Sequence, residues 1–121
     1  MDPFETRVEM LKATYDAWNR RDIDAVLEHF DDDVKWPNQM EMTTARGHRA
    51  LRAYWEKQFR VIDPSVEPVR FTELGDHVVV DVRQIVRDLD GLVLSDTRVG
   101  QSFAFRGVKV HSMQVRSPIG G

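Results

Sequence analysis

Between Glu5 and Asp22 the apolar residues Val8, Leu11, Tyr15 and Trp18 recur at steps of three and four, which predicts a helix with one buried stripe. Asp22 then stands as an N-cap for a second, shorter stripe formed by Ile23, Val26, Leu27 and Phe30. The acids Asp31, Asp32 and Asp33 read as a turn into a short strand that Pro37 ends, and residues 38–46 read as a loop. From Gly47 a third helix is predicted, with Leu51, Tyr54, Trp55, Phe59 and Ile62 inward. After Pro64 the period changes from helical to two. Four strands follow, joined by short turns at Gly75-Asp76, Asp90-Gly91 and Arg106-Gly107, as in an antiparallel meander.

Alternation assigns faces to these strands. Val78, Val80, Val82, Gln84 and Val86 share one face with Val99, Gln101, Phe103 and Phe105, and with His111, Met113 and Val115. Asp81, Arg83, Arg98 and Arg106 fall on the opposite face, where cross-strand ion pairs are expected. A single bulge would reverse part of any such assignment. Helices first and strands afterwards point to an α+β domain.

Composition narrows the classes. The 121 residues suit one domain, 1–121, and 41% hydrophobic with 31% charged residues is an ordinary globular balance. No cysteine is present, which excludes disulfides, thiolate nucleophiles and zinc-thiolate sites and fits a cytoplasmic setting. A net charge of −3 gives no basic surplus for a nucleic-acid partner. The first ten residues are acidic and mixed, so no signal peptide is expected, and no apolar run approaches a membrane span.

The order "YDAWNRRDIDAVLEHFDDDVKW…GHRALRAYWEKQF" followed by the meander resembles the SnoaL-like branch of the nuclear-transport-factor-2-like superfamily. The resemblance rests on the Asn19-x-x-Asp22 turn, Phe30-x-x-Asp33 before the first strand, and Gly47 at the third helix. It implies a cone-shaped fold in which three N-terminal helices pack on the concave face of a curved antiparallel sheet. It also implies an apolar cavity for a small apolar or polycyclic molecule, no cofactor, and homodimers that pair through the outer sheet face. In this chain the expected ligand-binding residues are Trp18, Trp36, Asn38, Tyr54, Trp55, Phe59, Val82, Gln84, Gln101, Phe103 and Met113.

Ketosteroid isomerases of this superfamily use a carboxylate base, a protonated aspartic acid and a tyrosine. Carried over by position, the base falls at Asn38 and the acid at Gln101, neither of which ionises, and the tyrosine falls at Thr14, one residue before Tyr15. True isomerase chemistry is therefore not expected. His111 and Tyr15 are the candidates for proton transfer in an isomerase, dehydratase or cyclase type of step, with Asn38 and Gln101 holding a polar oxygen. The histidines are scattered and no His-Glu-x-x-His occurs, so the acid run reads as structural and no metal site is expected. A non-catalytic pocket for a hydrophobic ligand, and a dimeric protein-interaction domain, are the alternatives.

Overall fold

The computed structural model describes residues 2–120 of the chain. Helix α1 spans Pro3–Asn19 and α2 spans Ile23–Leu27. Strand β1 (Phe30–Asn38) and the short β2 (Thr43–Arg46) precede α3 (Gly47–Val61). Strands β3 (Asp63–Leu74), β4 (His77–Arg87), β5 (Val93–Arg106) and β6 (Lys109–Arg116) complete the chain. The strands form one curved sheet in the order β2-β1-β6-β5-β4-β3. The domain is α+β, with three helices and a six-stranded mixed sheet.

Capping explains the helix starts. Asp2 accepts the N–H of Glu5 at 2.9 Å with Pro3 in the first turn, and Asp22 accepts the N–H of Ala25 at 3.2 Å. Between α1 and α2 the chain reverses through Arg21, which takes a left-handed φ of +66°. Beside that reversal the Asn19 amide is held on the edge strand β3. Its nitrogen donates to Val66 O at 2.7 Å, and its oxygen accepts from Val66 N at 3.0 Å. The Asn-x-x-Asp signature thus has two physical jobs: Asn19 ties α1 to the sheet, and Asp22 starts α2.

Several expectations are corrected. Phe30 is not on the second helix; it is the fully buried first residue of β1. The acids Asp31–Asp33 lie within β1 rather than in a turn, and Pro37 does not end that strand but sits inside it, opposite Thr44. Residues 43–46 form β2 instead of loop. Ile62 lies past the end of α3 in an extended conformation. The sheet is also mixed, because β1 runs parallel to β6, pairing Phe30 with Val110 and Lys35 with Ser112. Strand β1 takes its partners from β6, more than seventy residues away, on one side and from β2 on the other, and no local pattern announces the distant pairing.

The meander from β3 to β6 forms, and in β4 and β5 the residues assigned to one face do stand opposite one another: Val78 opposes Phe103, Val80 opposes Gln101 and Val82 opposes Val99. Val78, Val80, Val82 and Phe103 join Leu11, Tyr15, Leu51, Trp55, Val26 and Phe30 in one core, with Val99 packed against it. Helix α1 packs on β3 and β4, while α3 packs on β1 and β2. None of the described helices is long and apolar enough to cross a membrane.

On the opposite face of the sheet, Arg83 pairs with Asp96 through two hydrogen bonds of 3.0 and 2.7 Å, as expected of a cross-strand ion pair. Asp81 does something else. It is buried and accepts the backbone N–H groups of Ile119 and Gly120, both at 2.8 Å. The segment after β6 therefore folds back across the sheet. It crosses β5 at Gly100, where a Cβ would stand 2.6 Å from Ser117 O, so only glycine leaves room for the passing chain.

Candidate functional site

The core does not close completely. A cavity of about 170 Å³ remains between α1, α3 and the sheet. Its walls are aromatic. Trp36 stacks on Phe30 at a centroid distance of 5.4 Å and meets Trp55 edge-on at 5.5 Å, and Phe103 lies 6.0 Å from Trp36. Trp18 closes the helix side, 6.4 Å from Trp55. These rings hold one another in T-shaped and offset contacts, which stiffens the wall.

The polar groups come from four directions. Tyr15 and Thr14 enter from α1, Tyr54 and Gln58 from α3, Gln84 and Gln101 from the sheet, and Gln39 from the turn after β1. The Tyr15 hydroxyl donates to Gln101 Oε1 at 2.6 Å, which leaves the Gln101 amide hydrogens free. Burial pushes the Tyr15 phenol well above its ordinary value, so it stays protonated and acts as a donor. Burial also raises Tyr54, and the backbone N–H of Gln39, 3.4 Å from its oxygen, works against that rise. Among the described residues, none that lines the cavity is an acid, a histidine, a lysine or an arginine.

Of the expected ligand-binding residues, Trp18, Trp36, Tyr54, Trp55, Gln84, Gln101, Phe103 and Met113 do line this cavity, as does Tyr15. Four expected site residues do not. Asn38 is buried, but its Oδ1 is occupied by the N–H groups of Met40 and Glu41, each at 3.1 Å. It is a turn residue. Phe59 packs against Trp18, ring to ring at 5.1 Å, and the Arg21 guanidinium lies over both rings, 4.2 Å from Phe59 and 5.3 Å from Trp18. Val82 has the expected face but is completely buried in the core.

His111 is the largest departure. Ala104 pairs with Ser112 and Phe105 with Val110, so His111 is an extra residue inserted in β6. The bulge turns Val110 into the core and swings His111 off the cavity face. There His111 Nδ1 lies 3.4 Å from Asp31 Oδ2, and its Nε2 lies 3.4 Å from Arg106. Arg106 also reaches Asp31 at 3.3 Å. Beside this group the hydrogen bond and charge of Arg46 hold the Asp33 carboxyl below its usual range. Asp31 and Asp33 are thus partnered by basic groups. Among the described residues no three His, Asp or Glu side chains converge as metal ligands.

Sequence reasoning missed Thr14, Val26, Phe30, Gln58 and Val66 as lining residues. Gln58 carried a signal that could have found it: it is four residues after Tyr54 and so on the same helix face.

An apolar cavity enclosed by three helices and a curved sheet, with its polar groups gathered from both, defines the nuclear-transport-factor-2-like class of domain. The SnoaL-like domain profile matches residues 11–115, and the chain belongs to that family. No curated protein matches it in sequence. Among solved structures it is similar to TerC, crystallised with polyporic acid: TM-score 0.81, 26% identity, covering 93% of this chain and 92% of that one. It is similar to an NTF2-like protein from Burkholderia pseudomallei K96243, TM-score 0.81 and 20% identity, covering 93% of this chain and 91% of that one. A protein from Xanthomonas campestris pv. campestris, provisionally assigned as a polyketide cyclase, gives TM-score 0.82 at 18% identity, with 98% of this chain and 95% of that one covered. The last two likenesses speak to the fold alone.

Proposed function

We propose that this SnoaL-like chain binds a small, uncharged, ring-containing carbonyl compound in the aromatic cavity and polarises its carbonyl oxygen without a cofactor. The observation that carries the reading is the chemistry of the lining. Flat aromatic walls favour a ring, and among the described residues the polar side chains there are uncharged hydroxyls and amides. A buried charge without a counter-charge costs several kcal/mol, so an ionised ligand is disfavoured. The free amide hydrogens of Gln101, fixed by Tyr15, suit an oxygen on which negative charge develops. Steps of that kind include enolisation, dehydration and ring closure of keto compounds. A cavity near 170 Å³ is close to what one benzene-sized ring fills, so a larger ligand would bury one ring and leave the rest at the mouth. The solved structure of TerC with polyporic acid supports a small-molecule ligand for this fold.

Binding without turnover is the second reading. It is favoured by the lining itself, which offers no carboxylate or imidazole to take a proton from carbon. Under either reading the helices close the concave side of a cone, two copies pair through the outer sheet face, and the protein works in a cytoplasm.

Thermal unfolding with acetophenone, and separately with benzoate, tests the proposal. A neutral ligand at a hundred times its Kd adds about 2.7 kcal/mol of stability, on the order of 10 °C for a domain of this size. Acetophenone should raise the Tm and benzoate should not. A shift with benzoate alone, or with neither, would overturn the reading.

A further inference from the structure

The cavity has a second polar end that the carbonyl site does not use. Tyr54 and Gln58 lie one turn apart on α3, and both face the cavity. The Tyr54 oxygen accepts from the Gln39 N–H at 3.4 Å, which turns its own proton away from that backbone. Among the described residues no acceptor takes that proton, and the Gln58 amide has no partner either. Because burial keeps the phenol protonated, Tyr54 remains a donor across the neutral range. A donor and an adjacent amide together complete the hydrogen bonding of a hydroxyl, which gives one proton and accepts another. No hydrogen bond joins this pair to Tyr15 and Gln101, so the two ends act separately on a ligand.

We infer that the ligand is oxygenated at both ends of its ring, a hydroxyaryl ketone or its equivalent, with the carbonyl at Gln101 and the hydroxyl between Tyr54 and Gln58. This inference rests on the reading of the cavity as a carbonyl-binding site. Tyr54 and Gln58 are then specificity-determining residues, and the Gln39 backbone is the group that positions Tyr54.

Quenching of tryptophan fluorescence by acetophenone and by 4-hydroxyacetophenone tests it, in the wild type and in Tyr54→Phe, Gln58→Leu and Gln101→Leu. The wild type should bind 4-hydroxyacetophenone about three- to tenfold more tightly, the worth of one net hydrogen bond. Tyr54→Phe and Gln58→Leu should each erase most of that preference, bringing the two probes to within about twofold of one another. Gln101→Leu should weaken both probes. Equal affinities in the wild type, or a preference that survives both α3 substitutions, would overturn the inference while the carbonyl site stands. Failure of the wild type to bind either probe would remove the carbonyl site and this inference together. Two α3 variants are used so that the misfolding of one leaves the comparison intact.

Discussion

Replacing Tyr15 by phenylalanine should produce a stability deficit that disappears at alkaline pH. At neutral pH the substitution removes a 2.6 Å hydrogen bond to Gln101, whose side chain is only half-buried and can recover water. The expected loss is therefore about 1 kcal/mol, within the usual net worth of such a bond. Burial raises the Tyr15 pKa in the folded state, whereas in the unfolded chain a tyrosine ionises near pH 10. Below that pH both states keep the proton and the deficit is constant. Above it the unfolded chain sheds a proton that the folded one retains, so the wild type loses about 1.4 kcal/mol per pH unit that the variant does not. The two stabilities should meet near pH 11. Tyr54 and the lysines titrate in both proteins and cancel in the difference. Urea unfolding followed by tryptophan fluorescence from pH 7 to pH 11 reads the gap directly. A gap that stays constant to pH 11 would mean that Tyr15 ionises like an exposed tyrosine, and it would refute the placement of this phenol in the cavity wall.

Gly100→Ala forces a Cβ to within 2.6 Å of Ser117 O, so it should lift the C-terminal segment from the sheet and cost up to roughly 1–3 kcal/mol. Hydrogen exchange at Ile119 and Gly120, whose N–H groups Asp81 holds, should then speed up, and unchanged protection would refute the clamp. Sedimentation equilibrium at micromolar concentration should show a dimer that Arg83→Glu weakens, because that change sets two acids together on the outer face; a wild-type monomer throughout would end the pairing proposal.

Much of this architecture was legible along the chain. The stripe through Leu11, Tyr15 and Trp18, the cap Asp22, and the alternation in β4 and β5 are local patterns with local causes. A helical period places one stripe against the core, and a period of two divides a strand between two faces, whatever the rest of the molecule does. For that reason Trp18, Trp55, Gln84, Gln101 and Phe103 could be placed on inward faces from sequence, and the family resemblance set those faces, with Trp36, on a cavity. The amide at Gln101, where a related isomerase carries an acid, could likewise be read without coordinates.

Tertiary structure alone decided the rest. His111 alternates correctly with Met113 and Val115, yet one inserted residue reverses it, because β6 must pair with β5 on one side and parallel β1 on the other. Asn38 occupies the position of a base, yet the β1–β2 turn consumes its side chain. Asp81 appears in a row of surface charges, yet a segment nearly forty residues later supplies its hydrogen bonds. For His111 and Asp81 the partner that fixes the side chain is far away in sequence, and for Asn38 it is a tight turn two and three residues on, whose formation no alternation of apolar and polar residues encodes. The sequence by itself determined the class of domain and the aromatic, uncharged character of its interior. Only the folded chain decided which of its polar groups remain free to meet a ligand.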